Sequence, residues 1–205
     1  MSASEPLSQQ VEHLQRIYLF RGLDPSTLMH VIQTAYFKRV ARGSFFFLQD
    51  DDASFLYVLV RGQVKLTQVT PEGHQTVLGF IEPGRMFGCI AVLSAMSYPV
   101  SAEAMEDCEA LAWDGERMAQ LMEIYPRLAL NAIDLMAQHV RDLQDRLREL
   151  VTERVERRIA RALLRLVRQL GRKVEGGILI DLALTRQDLA EMTGTTLYTV
   201  SRVLS

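Results

Sequence analysis

Thr185-Arg186-Gln187-Asp188-Leu189-Ala190-Glu191-Met192-Thr193-Gly194-Thr195-Thr196-Leu197-Tyr198-Thr199-Val200-Ser201-Arg202-Val203-Leu204 is the stretch from which the rest of the chain becomes readable. Thr185 can cap a helix, and Asp188 falls in its first turn, where a carboxylate is favoured. Gly194 sits where a tight turn needs backbone angles that side chains resist. Ala190 is small where two helices would cross closely, and Leu189, Val200 and Val203 fall on inward-facing positions. The pattern is that of a helix-turn-helix. In such a unit the second helix lies in the major groove of a duplex, and its outward side chains reach base edges. Those side chains are Thr196, Leu197, Tyr198, Ser201 and Arg202. Arg202 can make a bidentate contact to guanine O6 and N7, with Ser201 beside it as a polar base contact. Thr196 and Thr199 suit phosphate or a thymine methyl, and Arg186 completes the candidate DNA-binding set. A helical hairpin that only packs would leave the polar second helix without a purpose.

Toward the N-terminus, Gly176-Gly177 leads into Ile178–Leu184, a strand or hairpin arm. Before it lies an amphipathic helix carrying Val155, Ile159, Leu163, Leu166 and Leu170, with Gly171 placed to stop it. Pro126 marks the entrance to a longer helix. In that helix Ile133, Met136, Val140, Leu143, Leu147 and Leu150 alternate at spacings of three and four, which lines them along one stripe. The neighbouring positions are largely Arg, Asp, Gln and Glu, so the stripe has the form of an a/d seam between two helices in water. It could instead pack on the chain's own β-domain, but a stripe this narrow and long favours a dimer interface between two copies.

From Ala35 to Trp113 the pattern changes to short β-rich runs: Ser44–Leu48, Phe55–Val60, Val64–Val69, Thr76–Ile81 and Ala110–Trp113. Turns fall at Arg61-Gly62, Pro71-Glu72-Gly73 and Glu82-Pro83-Gly84. Many short strands at this spacing imply a sandwich or small barrel. Ahead of them Leu7–Phe20 reads as a short helix, and Asp24-Pro25 opens a second. The expected domains are 1–125, a β-domain with N-terminal helices; 126–150, a dimerisation helix; and 151–205, the helix-turn-helix.

With 205 residues, 48% hydrophobic and 23% charged, the chain is an ordinary globular protein with a real core. The formal net charge of −2 hides a split. Residues 1–138 hold 10 Lys and Arg against 16 Asp and Glu, whereas residues 139–205 hold 13 against 9. One basic end suits a polyanionic partner, although solvated ion-paired helices explain the charge equally well. Met1–Gln10 is not a signal segment and no stretch approaches bilayer length, so a cytoplasmic protein with no membrane partner is expected. Cys89 and Cys108 are too few and too far apart for a zinc or iron-sulfur cage. No metal site is expected. His13, His30, His74 and His139 are scattered, with no His-x-His pair, which speaks against an enzyme on a cupin-like barrel.

Arg61-Gly62-Gln63-Val64-Lys65-Leu66, then Glu82-Pro83-Gly84-Arg85-Met86-Phe87-Gly88, then Leu184–Leu204 occur in the order found in the CRP/FNR family of bacterial regulators, which the chain resembles over nearly its whole length. The resemblance implies an α+β fold: an N-terminal antiparallel β-roll (double-stranded β-helix) of cyclic-nucleotide-binding type, a long dimerisation helix and a C-terminal winged helix-turn-helix. It implies a homodimeric transcription regulator whose partners are a double-stranded DNA operator and RNA polymerase. It places an effector pocket at Phe87, Gly88, Cys89, Ile90, Val100 and Ser101. The family's wing follows the recognition helix, and with the chain stopping at Ser205 the wing is expected to be missing.

The resemblance also implies what the effector is not. In cyclic-AMP-binding members a Glu after Phe-Gly contacts the ribose and an Arg-Ser pair grips the cyclic phosphate. Here Cys89 follows Gly88, and Val100 precedes Ser101. A buried phosphate would lack its charge-assisted guanidinium, so cyclic AMP is not the expected effector. Iron-sulfur members need N-terminal cysteines, and none precedes Cys89. Haem-binding carbon-monoxide sensors have an axial His where this chain reads Cys89-Ile90-Ala91. Haem held by His13, His30, His74 or His139 stays open, as does a thiol switch at Cys89 and Cys108, and the cofactor is left unassigned. The run Tyr98-Pro99-Val100-Ser101-Ala102-Glu103-Ala104 resembles the branch of regulators of nitrate, nitrite and nitric oxide metabolism. In the recognition helix, Leu197-Tyr198 stand where the best-known members carry Arg-Glu or Val-Glu. Without that Glu an acceptor for cytosine N4 is lost, and the operator is expected to differ there.

Overall fold

A computed structural model of the chain describes Gln15, residues 17–94 and residues 96–205. The helix expected over Leu7–Phe20 lies mostly outside the described residues, and its end forms a 3₁₀ turn, Tyr18–Phe20. The chain forms two compact units: residues up to Leu66 with Phe80–His139, and Thr67–Gly79 with Val140–Ser205. Among the described residues no helix is long and apolar enough to cross a membrane.

In the first unit Asp24 caps α1 (Pro25–Gln33), its carboxylate accepting the N–H groups of Ser26 and Thr27, with Pro25 preset for the first turn. The hydroxyls of Ser26 and Thr27 donate to the same carboxylate and hold its pKa far below the usual range. Eight strands follow: β1 (Tyr36–Val40), β2 (Phe45–Phe47), β3 (Phe55–Arg61), β4 (Val64–Val69), β5 (Gln75–Ile81), β6 (Met86–Phe87), β7 (Ser101–Ala104) and β8 (Cys108–Asp114). They make two four-stranded sheets, ordered β1-β8-β3-β6 and β2-β7-β4-β5, which is the expected β-roll. The outer part of the β4–β5 hairpin, Thr67–Gly79, belongs to the second unit.

Strand β8 pairs antiparallel with both β1 and β3, so Ala110, Leu111, Ala112 and Trp113 are all buried. Trp113 is fully buried, and its indole N–H donates to the Val31 carbonyl at 3.1 Å and the Thr34 hydroxyl at 3.2 Å. The edge of Phe20 meets its ring at 5.9 Å between centroids. This buried strand is longer than the expected Ala110–Trp113, since Cys108 and Asp114 also pair. Strand β1 gave no strand signal because Tyr36, Phe37, Lys38 and Arg39 are all exposed, which leaves nothing for a period of two to alternate. Two short helices, α2 (Cys89–Leu93) and α3 (Gly115–Ile124), interrupt and follow the roll, and Asp114 caps α3 through the Arg117 N–H.

The long helix α4 (Pro126–Thr152) runs through both units. Its N-terminal half buries Leu128, Asn131 and Ala132, and the Asn131 amide donates to the carbonyls of Leu19 and Arg21, both at 2.8 Å. In the second unit its last turn meets α5 (Val155–Leu170) through Arg165–Glu149 at 2.6 Å, and Glu153, in the corner just after it, pairs with Arg161 at 2.7 Å. Glu149 is buried and tolerates burial because it is paired. Arg146 reaches the other way: its Nη1 donates to the Leu78 carbonyl in the β4–β5 hairpin, and burial lowers its pKa.

Gly171 ends α5 as expected, but for a different reason. Its backbone is extended, with φ −72°, and a Cβ there would lie 2.2 Å from the Val167 carbonyl oxygen and 2.6 Å from Ile178. The glycine is needed for space, not for a left-handed cap. A hairpin of β9 (Gly171–Val174) and β10 (Gly177–Ile180) follows, then α6 (Arg186–Thr193) and α7 (Leu197–Val203). The strand expected over Ile178–Leu184 ends at Ile180, because β9 offers partners only as far as Gly171. Ile159, Ala162, Leu166, Leu189, Ala190 and Val200 form the buried core of this unit.

Candidate nucleic-acid interface

Local chemistry builds the helix-turn-helix. Thr185 and Asp188 form a capping box: the Asp188 N–H donates to the Thr185 hydroxyl at 3.0 Å, and the Thr185 N–H donates to the Asp188 carboxylate at 2.9 Å. Gly194 turns the chain with φ +60°, its N–H donating to the Ala190 carbonyl. Thr196 caps α7 by accepting the Thr199 N–H at 3.2 Å. Val200 is fully buried and Val203 half-buried, which turns the opposite face outward.

On that outward face Tyr198 is 76% exposed, and Leu197 and Arg202 are exposed, as is Arg186 at the start of α6. Ser201 is half-buried, still reachable from the helix surface. Thr196 and Thr199 also serve the start of the helix. Their hydroxyls bond each other at 3.0 Å, and the Thr196 oxygen also serves the cap, so the pair starts α7 first. Capping uses the same side-chain oxygen that a phosphate or base contact would need.

The residues expected to line an effector pocket lie on β6, α2 and the start of β7. Phe87 is buried in an aromatic cluster, 5.1 Å from the ring centroids of both Phe46 and Tyr57. The Phe47 and Tyr98 rings stack at 3.7 Å, and a Cβ on Gly88 would lie 3.3 Å from each. The Tyr98 hydroxyl donates to the Phe55 carbonyl at 2.5 Å and accepts the Phe55 N–H at 2.9 Å, which locks the ring. Ile90 is exposed, Val100 half-buried, and the Ser101 hydroxyl oxygen accepts the Gln49 N–H at 2.9 Å. Val100 stands beside that serine, so the cassette carries no guanidinium at this position.

Cys89 and Cys108 are both buried and free. Burial pushes the Cys89 thiol up to about 11 and the Cys108 thiol above its ordinary value, so neither is a thiolate near neutrality. In native protein at pH 8, iodoacetamide is therefore expected to label Cys89 only as fast as the roll opens, with full labelling in denaturant. Labelling at the rate of a free thiol would show that this cysteine is accessible. Among the histidines, His30 shares a hydrogen bond with the Tyr125 hydroxyl at 2.6 Å, His139 is exposed, and His13 lies outside the described residues. Among the described residues no three His, Cys, Asp or Glu side chains group as metal ligands.

Helix α4 carries exposed apolar side chains along much of its length. Ile133, Val140, Leu143, Leu147 and Leu150 are exposed in spite of being apolar, whereas Met136 is half-buried and packs partly on the core of the first unit. Leu150 also approaches the turn between α6 and α7, 3.3 Å from where a Cβ on Gly194 would stand.

Comparison with known proteins agrees with this geometry. Residues 37–125 match the cyclic nucleotide-binding domain family, and residues 157–205 match the Crp-like helix-turn-helix domain family. The chain is 33% identical over 188 residues to the cyclic AMP receptor protein of Thermus thermophilus, across 91% of this chain and 83% of that relative. It is 24% identical over 194 residues to the CRP-like cAMP-activated global transcriptional regulator of Mycobacterium tuberculosis, across 95% of this chain and 87% of that protein. The solved c-di-GMP responsive global regulator CLP of Xanthomonas campestris shares the fold, with a TM-score of 0.75 at 22% identity, covering 88% of this chain and 90% of that one. These relatives are transcription regulators, not enzymes. The roll, the long helix and the helix-turn-helix, in that order and matched along most of a relative's length, make this chain a member of the CRP/FNR family of transcription regulators.

Proposed function

We propose that the protein acts as a homodimer that presents α7 of each copy to adjacent major-groove half-sites of a DNA operator, under control of a signal received in the β-roll. In this reading residues 1–125 sense, 126–150 pair and 151–205 read DNA. The observation that carries it is the unpartnered apolar stripe of α4 from Val140 to Leu150, next to a recognition helix whose reading side chains face solvent. Apolar surface in a continuous stripe indicates a partner, and a second copy of the same helix matches its a/d spacing. Two-fold pairing would place the recognition helices roughly one helical turn, about 34 Å, apart.

Arg202, Ser201, Tyr198 and Leu197 are the base-reading side chains, and Arg186 is a phosphate contact. Thr196 and Thr199 mainly hold the start of α7. Two relatives are named for cyclic AMP, but with Val100 before Ser101 a cyclic phosphate would lack a charge-assisted guanidinium there, so the signal is of another kind. It would shift the packing of the roll against α4 and so the population of the DNA-binding arrangement. RNA polymerase is the partner such a bound regulator would address.

Arg202→Ala tests the reading. A bidentate guanine contact accounts for about 1–3 kcal/mol of discrimination against the wrong base. The variant is expected to lose about tenfold or more in operator affinity, and its preference at one base pair of each half-site, in competition binding with single-base operator variants. An unchanged preference at every position would remove Arg202 from base recognition.

A further inference from the structure

We infer that Arg158 sets the angle at which α7 is offered to DNA, acting as a positioning residue through the turn between α6 and α7. The inference rests on the reading of α7 as the recognition helix. Helix α7 has seven residues and one fully buried side chain, Val200, so its own packing does little to fix its direction. Its direction follows the turn that carries it.

The carbonyls at the end of α6 are divided between two sets of donors. Ala190 accepts the Gly194 N–H and the Thr195 N–H at 3.0 Å, and Leu189 accepts the Thr193 hydroxyl at 2.6 Å. The carbonyls of Thr193 and Gly194, at the helix end and in the turn, receive Arg158: Nε donates to Thr193 O at 3.0 Å and Nη2 to Gly194 O at 3.4 Å. The third nitrogen, Nη1, donates to Glu153 O at 3.3 Å, in the corner between α4 and α5. One planar group therefore bridges the end of the long helix and the turn before the recognition helix.

The ends of α4 and α6 both direct partial negative charge toward this guanidinium. Its five N–H groups lie in one rigid plane, so bonds on three sides fix an orientation that a lysine ammonium could not. Ile159, Ala162 and Leu166 of α5 and Leu189 and Ala190 of α6 are buried in this unit, but dispersion and burial are non-directional and tolerate small rotations. In a dimer joined along α4, the separation of the two α7 helices depends on this link.

The test uses Arg158→Lys and Arg158→Gln in the full chain, with an operator selected by the wild type from a randomised duplex pool and two derivatives whose half-sites are one base pair closer or further apart. Wild-type affinity is expected to fall sharply on both derivatives. The variants are expected to lose about tenfold or more on the selected operator, on the scale of bonds to a charged donor, and to bind all three spacings nearly alike. Equal loss on all three with the wild-type ranking kept, or no loss at all, would overturn the proposal. In the free protein, exchange of the Gly194 and Thr195 amides is expected to accelerate about tenfold in the variants relative to amides in the middle of α5. Unchanged exchange would also overturn it. If both variants lose cooperative unfolding, Arg158 is a folding residue and the proposal fails. If the wild type selects no duplex, it is the reading of α7 that fails, and the exchange result still decides the role of Arg158.

Discussion

Leu143→Glu combined with Leu147→Glu is expected to give a folded chain that sediments as a monomer and binds its operator about a hundredfold or more weaker. Leu143 is 48% exposed and Leu147 63% exposed in the single chain. A carboxylate at either site is hydrated while the chain is alone, so the unfolding midpoint should move little, within about 0.5 kcal/mol. Pairing two such helices would bring four carboxylates into one apolar seam, where each buried unpaired charge costs several kcal/mol. Separation of the copies then removes the intramolecular advantage of the second half-site, a factor of about 10² or more. Sedimentation velocity and operator titration on the same samples separate the two effects. A dimer that survives both glutamates would place the interface elsewhere than on the α4 stripe.

The largest loss of stability is expected from Trp113→Ala, at about 3–5 kcal/mol by urea unfolding followed by circular dichroism. The side chain is fully buried on the central strand β8 and ties that strand to α1 by two hydrogen bonds from one N–H. Alanine would leave a void beneath Phe20 and remove the indole donor, while the Val31 carbonyl keeps the Thr34 hydroxyl at 2.7 Å and the Thr34 N–H at 3.3 Å, so the loss is one of packing. Since whole domains are stable by about 5–15 kcal/mol, the roll would sit near its limit. Trp113→Phe keeps most of the ring contacts and loses the N–H, so it should recover the larger part of the deficit. A loss below about 1 kcal/mol for the alanine variant would mean that β8 and α1 collapse onto the site and that packing there is loose.

The helix-turn-helix was legible because its determinants are neighbours in the chain. Thr185 and Asp188 cap each other three residues apart, and Gly194 follows α6 directly. The α4 stripe was legible for the same reason, since a helix brings residues three and four apart onto one face. Strand β1 was not, because its exposed residues carry no alternation. The effector pocket was placed by resemblance alone. Beside it, aromatic side chains of three strands and of the loop before β7, Phe46, Phe47, Tyr57, Phe87 and Tyr98, pack on one another, a cluster of residues far apart in the chain. Gly171 shows an intermediate case, in which the position of the helix end could be read but not its cause, which is the nearness of Ile178.

What the order of amino acids determined alone was therefore everything governed by contacts within about one helical turn: caps, turns, amphipathic faces and the succession of roll, long helix and helix-turn-helix. What waited for the tertiary structure was every role assigned by a distant residue. Trp113 is held from α1 some eighty positions earlier, Arg146 reaches a carbonyl in the β4–β5 hairpin, and Arg158 spans from the α4 corner to the turn before α7. The reason is physical: a backbone carbonyl is an acceptor in every residue, so only the folded geometry decides which one a given guanidinium or indole will find.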